Sequence, residues 1–406
     1  MHTIFSPRCL KDKHHSISMQ RSWDIFCTVI DNFGDIGVCW RLAKQLTHEH
    51  HQRVRLWVDD LVSFSRIAPV INPNIQHQVV QGVEICHWQK TFTEVEPAEV
   101  VIEAFACELP DGYVQILLQL QLQLQLQLQQ RKQPVWINLE YLSAEPWVTQ
   151  YHGLPSPHPR FPLTKTCFFP GFVQGTGGLL REKNVMAQRD AFNTATERVF
   201  LQRKGLPERQ SGEIRISLFC YDTAPVKKLI QVLSESSIPV LLIVPQGSVA
   251  ERIVALFNHA SSQTEQLIQH EQLTVRIIPF MAQTDYDRLL WSCDVNFVRG
   301  EDSFVRAQWA GSPFVWNIYP QSEGAHWKKL DAFLELYTAG LPMEMATAVR
   351  EMWIFWNGGN EINSTVWTNF FAFREALTQH HENWRKQLLK QEDLASNLVQ
   401  FAENRL

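Results

Sequence analysis

Short apolar runs and segments with helical spacing alternate along most of the chain. In the first half, the runs at 23–30, 53–58, 83–86, 99–103, 134–139 and 166–169 read as strands, with helical patterns at 38–49 and 110–130. In the second half, strands are predicted at 214–219, 238–244, 273–278, 293–298 and 313–316, alternating with helices near 225–235, 248–260, 283–292 and 303–310. Runs that are apolar at nearly every position belong to strands buried on both faces, and alternation with helices makes their sheets parallel. The pattern therefore predicts an α/β protein. Two such blocks meet in the polar stretch 195–213, which predicts two doubly wound domains with a cleft between them.

The expected boundaries are 21–200 for the first domain and 201–362 for the second. Residues 363–406, rich in Gln, Glu, Lys and Leu, are expected to be helical and to pack back on the first domain. Residues 1–20 have no apolar core of a signal peptide and are expected to be a disordered extension, with Met19 a second candidate start. The alternating Leu-Gln run between Gln119 and Gln129 has the period of a strand but no β-branched residue. Leu and Gln favour helix, so it is taken as a repeat expansion lengthening a surface helix.

Composition narrows the class. A length of 406 residues and 45% hydrophobic content suit two full cores. A formal charge of −5 offers no field for nucleic acid. The 8 cysteines are scattered without a C-x-x-C pair, which argues against structural zinc and disulfides and for a reducing compartment. No stretch is long and apolar enough to span a membrane, so the expected location is cytoplasmic. The 14 Trp and 24 Phe form a heavy aromatic load, useful for packing and for stacking on bases or sugars.

The candidate chemistry sits where strands run into helices. Arg299-Gly300-Glu301-Asp302-Ser303 joins the strand 293–298 to a helix opening at Ser303. Backbone N–H groups at such a turn, with Arg299, suit phosphates, while Glu301 and Asp302 suit the hydroxyls of a sugar or ribose. Together they suggest a nucleotide-sugar site. The alternative is a helix capped by Ser303 with both carboxylates solvated. A second turn, Asp31-Asn32-Phe33-Gly34-Asp35-Ile36-Gly37, follows the first strand. Its two glycines permit a tight turn, and Asp31 and Asp35 could together orient or activate a nucleophile. Alternatively Asp35 caps the helix and Asp31 holds the turn. Phe219, Tyr221, Phe280, Gln283 and Tyr286 follow strand ends at the expected cleft, where aromatic faces could sandwich a base, or the phenylalanines could be core. Asp59-Asp60 resembles half of a metal-binding pair but lacks a third ligand.

Four segments carry a family resemblance: Ile30–Val38, Ile102–Cys107, Glu140–Glu145 and Arg299–Gln308. They resemble the bacterial protein-arginine rhamnosyltransferases that modify translation elongation factor P, and the likeness runs from about Trp23 to the C-terminus. The resemblance implies a GT-B fold, a dTDP-β-L-rhamnose donor, and inverting transfer to an arginine guanidine nitrogen of elongation factor P. The modified factor would then relieve ribosome stalling. No metal or other cofactor and no membrane or nucleic-acid partner is implied. Carried over by motif, Asp35 is the catalytic carboxylate and Asp31 a second essential acid. Phe219, Tyr221, Phe280, Gln283 and Tyr286 would line the thymine and sugar pocket, Tyr286 standing where Phe also occurs in the family. Arg299, Glu301, Asp302 and Ser303 would hold ribose and diphosphate, and Asn32, Phe33 and Gly34 would complete the donor site. A sugar-nucleotide epimerase and a non-catalytic nucleotide-binding adaptor are the rival readings of the same fold.

Overall fold

The computed structural model describes residues 20–31, 33–89, 95–126, 132–257, 267–359 and 364–406. The expected N-terminal disorder thus falls almost wholly outside the described residues, as do Asn32, Cys9 and the end of the Leu-Gln run.

The first sheet contains β1 (Ser22–Cys27), β2 (Arg53–Val58), β3 (His77–Val80), β4 (Val83–His87), β5 (Val100–Ala104), β6 (Val135–Leu139), β7 (Pro155–Pro157) and β8 (Thr164–Phe168). Their order is β3-β4-β2-β1-β5-β6-β8-β7. All neighbours are parallel except the edge pairs β3–β4 and β7–β8. Successive side chains of β1 pack on opposite sides, which is why both kinds of position are apolar. Trp23, Ile25 and Cys27 join a core with helix Gly34–Glu49, while Phe26 joins Tyr113, Val114 and Leu117 of helix Asp111–Gln125. Asp24, on the Phe26 side, is buried but satisfied: it accepts from Arg55 at 2.6 and 2.7 Å and from Tyr113 Oη at 2.5 Å.

The second sheet contains β9 (Ile214–Leu218), β10 (Val240–Pro245), β11 (Leu267–His270), β12 (Leu273–Ile278), β13 (Val295–Arg299) and β14 (Phe314–Asn317), in the order β11-β12-β10-β9-β13-β14. Only the β11–β12 edge pair is antiparallel. In both sheets the strand order reverses beside the first strand of the sheet, at β1/β5 and at β9/β13. The loops leaving these strands diverge there and open a crevice.

Three expectations change. The strand predicted at 23–30 ends at Cys27, and the following helix starts at Gly34 rather than residue 38. The stretch 195–213 is only partly a connector: helix Thr194–Arg203 packs Phe200 and Leu201 against Leu241, Ile243 and Ile278 of the second sheet. In the C-terminal segment, helix Arg374–Leu388 packs on the second domain, with Trp384 Nε1 donating to Gln308 Oε1 at 2.7 Å. It also meets the first, with Arg189 Nη2 donating to Glu382 Oε1 at 2.7 Å, as does helix Leu394–Glu403, where Asn397 Nδ2 donates to Gly177 O at 3.0 Å.

The Leu-Gln run is helical through Gln125, with Leu122 half exposed. The seven described cysteines are free thiols. No described helix is long and apolar enough to cross a membrane.

Candidate active site

Two cavities meet between the sheets. The first, about 550 Å³ of empty space, is lined by Phe33, Phe219, Phe280, Gln283, Tyr286, Arg299, Asp302 and Ser303 together with Asp31 and Gly34. The second, about 650 Å³, is lined by Asp31, Gly34, Asp35, Phe105, Tyr141, Glu301, Tyr319 and Lys329 among others. Asp31 and Gly34 belong to both, so the Asp31–Asp35 turn forms the junction.

That turn is built by its own carboxylates. Asp35 Oδ2 accepts from the backbone N of Ile30 at 3.0 Å and of Asp31 at 2.9 Å. Helix Gly34–Glu49 has Phe33 at its N-cap position and no side-chain cap, so Asp35 holds the preceding loop rather than capping the helix. The carboxylate of Asp31 accepts from Tyr221 Oη at 2.5 Å. Neither Gly34 nor Gly37 has a positive φ, so the tight-turn reading of these glycines gives way to close packing. A Cβ on Gly34 would lie 2.6 Å from Asp31 Oδ2, and one on Gly37 would lie 3.2 Å from Asp302. Bare backbone is what lets these carboxylates approach.

Burial disfavours charge on these acids. It pushes Asp31 up to about 6, opposed by the Tyr221 bond and the charge of Arg299. Asp35 is raised by burial against its two backbone bonds. Glu301 is pushed up to about 8 by burial, with Lys329 and the Leu142 N–H opposing.

The Arg299–Ser303 turn sets Arg299, Asp302 and Ser303 on the first cavity. The helix spans Asp302–Ala310 and has no side-chain cap, so Ser303 is not the cap. Ser303 Oγ instead donates to Arg299 O and accepts from Arg299 N at 3.0 Å, which closes the turn. Glu301 faces the second cavity, not the first, and accepts from Leu142 N at 3.1 Å. Asp302 lines the first cavity, yet its carboxylate is already held by Arg41 Nε at 2.7 Å and Gln283 Nε2 at 3.1 Å.

The aromatic residues gather as expected but do not form an open sandwich. Phe219 and Phe280 are 6.2 Å apart at 63°, and Phe33 lies 4.7 Å from Phe280. Arg299 sits over the rings of Phe219 and Tyr221 at 4.5 and 4.7 Å, a cation fixed beside the cavity. Tyr221 serves as the support of Asp31 rather than as a wall of the aromatic cavity. Phe219 and Phe280 are half-buried and line the cavity, so they are not plain core. Asp60 caps helix Leu61–Ile67, accepting from Val62 N at 2.9 Å and Ser63 N at 3.0 Å. Asp59 ties the loop after β1 by accepting from Val29 N at 2.9 Å, so this pair is structural.

Sequence reading missed Arg41, Tyr141, Tyr319 and Lys329. Tyr141 lies in a segment already singled out, but Arg41 and Lys329 sit on helices whose spacing carries no sign of a cleft.

Residues 23–403 match the family described as Elongation-Factor P (EF-P) rhamnosyltransferase EarP. The protein-arginine rhamnosyltransferase of Pseudomonas putida is 45% identical over 390 residues, spanning 96% of this chain and 100% of that one. The Neisseria meningitidis enzyme of the same name is 33% identical over 387 residues, 93% of this chain and 96% of its own. A solved structure that presents the structural basis for EarP-mediated arginine glycosylation of translation elongation factor EF-P covers 95% of this chain and 100% of its own. It shares 33% identity, with a TM-score of 0.66. A match of this length, over both sheets and the loops between them, places the chain in the EarP family of GT-B glycosyltransferases.

Proposed function

We propose that the chain transfers L-rhamnose from dTDP-β-L-rhamnose to an arginine guanidine nitrogen of elongation factor P, with inversion at the sugar carbon and without a metal. The observation that carries this reading is the junction of two cavities at Asp31 and Gly34. The first cavity offers aromatic faces and a fixed cation, which suit thymine and a diphosphate. The second offers carboxylates and the rings of Tyr141 and Tyr319, which suit a guanidinium. Inversion needs donor and acceptor on opposite faces of the reacting carbon, and cavities on two sides of one carboxylate supply that arrangement.

A guanidinium is a poor nucleophile because its lone pairs are delocalised and its pKa exceeds 12. Charge-assisted bonds from Asp31 and Asp35 would orient one nitrogen, and Asp35 would take its proton as the C–N bond forms. Arg299 would stabilise the charge that grows on the departing diphosphate.

The purified chain, incubated with dTDP-β-L-rhamnose and elongation factor P, should add one deoxyhexosyl unit to the factor by intact mass. An altered free sugar nucleotide without acceptor modification would indicate an epimerase, and no change in either would leave a binding adaptor.

The acid limb of the pH profile follows from Asp31. Its raised pKa means that it binds a proton, and loses its grip on guanidinium, at a higher pH than an ordinary aspartate. Below about 6, kcat/KM should therefore fall about tenfold per pH unit, and it should level off above. A profile flat between about pH 5 and 7 would remove Asp31 ionisation from the rate.

A further inference from the structure

Arg41 is 1% exposed, and a buried guanidinium is tolerated only with close counter-charges. It extends from helix Gly34–Glu49 of the first domain into the second. There its Nε donates to Asp302 Oδ1 at 2.7 Å, and its Nη2 to Asp287 Oδ1 at 3.0 Å and Gln283 O at 3.3 Å. Its Nη1 reaches Asp287 Oδ2 at 3.2 Å and Glu182 Oε1 at 3.3 Å. Arg306 shares the same acids, donating to Asp287 at 2.9 and 2.8 Å and to Glu182 at 2.5 Å. Alongside, Gln283 Nε2 donates to Gly37 O at 2.8 Å, a further tie across the cleft.

Two of the groups so held, Asp302 and Gln283, also line the aromatic cavity. If the domains separate, both lose their partners on the first domain: Asp287 and Asp302 are left with Arg306 alone, while Glu182 stays with Arg41. The orientation of two cavity walls thus depends on closure through Arg41.

We propose that Arg41 is a positioning residue that couples closure of the two domains to the donor cavity. It touches no substrate itself and acts through Asp302 and Gln283. The coupling to donor binding rests on the functional reading above. Closure itself can be measured without a donor.

Arg41→Lys keeps one charge but cannot supply the planar fork that serves Asp302 and Asp287 together. By small-angle scattering, the free variant should have a larger radius of gyration than wild type. Its KM and Kd for dTDP-β-L-rhamnose should rise at least about tenfold, with kcat at saturating donor changing much less. A purely structural role would lower the yield of folded, active protein and leave donor KM unmoved.

A folded variant with wild-type scattering, or with donor Kd within about threefold of wild type, overturns the proposal. If Arg41→Lys does not fold, Asp287→Asn carries the same test, since Asp287 contacts Arg41 but lines neither cavity. A wild-type chain that does not bind the donor would sink the functional reading, and the scattering comparison would still decide the latch.

Discussion

Asp35→Asn leaves donor binding near wild type and lowers transfer to elongation factor P by about 10²–10⁴-fold, the usual cost of a lost general base. The geometry makes this substitution informative. The structural work of Asp35 is to accept the N–H groups of Ile30 and Asp31 through one oxygen, and the amide oxygen of Asn can do the same. Size and loop anchoring are retained, while the basicity that would draw a proton from guanidinium is removed. Helix capping offers no competing explanation, because Asp35 lies inside the helix and bonds backward to the loop. Single-turnover rates on elongation factor P decide the matter. A rate within about threefold of wild type, with intact loop geometry, would take Asp35 out of the chemistry and leave it as a loop anchor.

Gly300→Ala should abolish most transfer through a residue that carries no functional group. Gly300 has φ +57°, a left-handed conformation that costs an L-residue about 1–2 kcal/mol. Its added methyl would lie 2.6 Å from Asp31 Oδ2 and 2.9 Å from Tyr221 Oη, the two ends of one hydrogen bond. One of these must swing away, so Asp31 loses either its place or its support. The expected result is a drop in Tm of a few degrees, matching about 1–2 kcal/mol, with at least a hundredfold loss of transfer rate. Donor affinity should fall less, since the aromatic rings and Arg299 are not displaced. Equal activity in wild type and Gly300→Ala would mean that the Asp31–Tyr221 bond is not needed for the reaction.

Both substitutions act on the meeting of loops from the two sheets, and there the sequence and the fold divide the information between them. The central strands were legible because burial on both faces leaves a one-dimensional trace, an apolar run such as 240–244. The edge strands His77–Val80, Pro155–Pro157 and Leu267–His270 left none: half-solvated and short, they carry no continuous apolar run. The loops that line the two cavities were legible as motifs, since a glycine beside several charges at a strand end is unusual in itself.

The sequence by itself thus determined two parallel-sheet domains, the loops where they meet and the residue types those loops bring. Only the tertiary structure decided which charge answers which. Glu301 and Asp302 are neighbours in sequence, yet one faces the second cavity and the other is held by Arg41, 261 residues away. Gly34 and Gly37 looked like turn formers, and their need is to admit the carboxylates of Asp31 and Asp302. Local spacing records how each residue meets its own helix or strand. The partner of a buried charge is set by how the two sheets close on one another, and no periodicity along one chain segment encodes that.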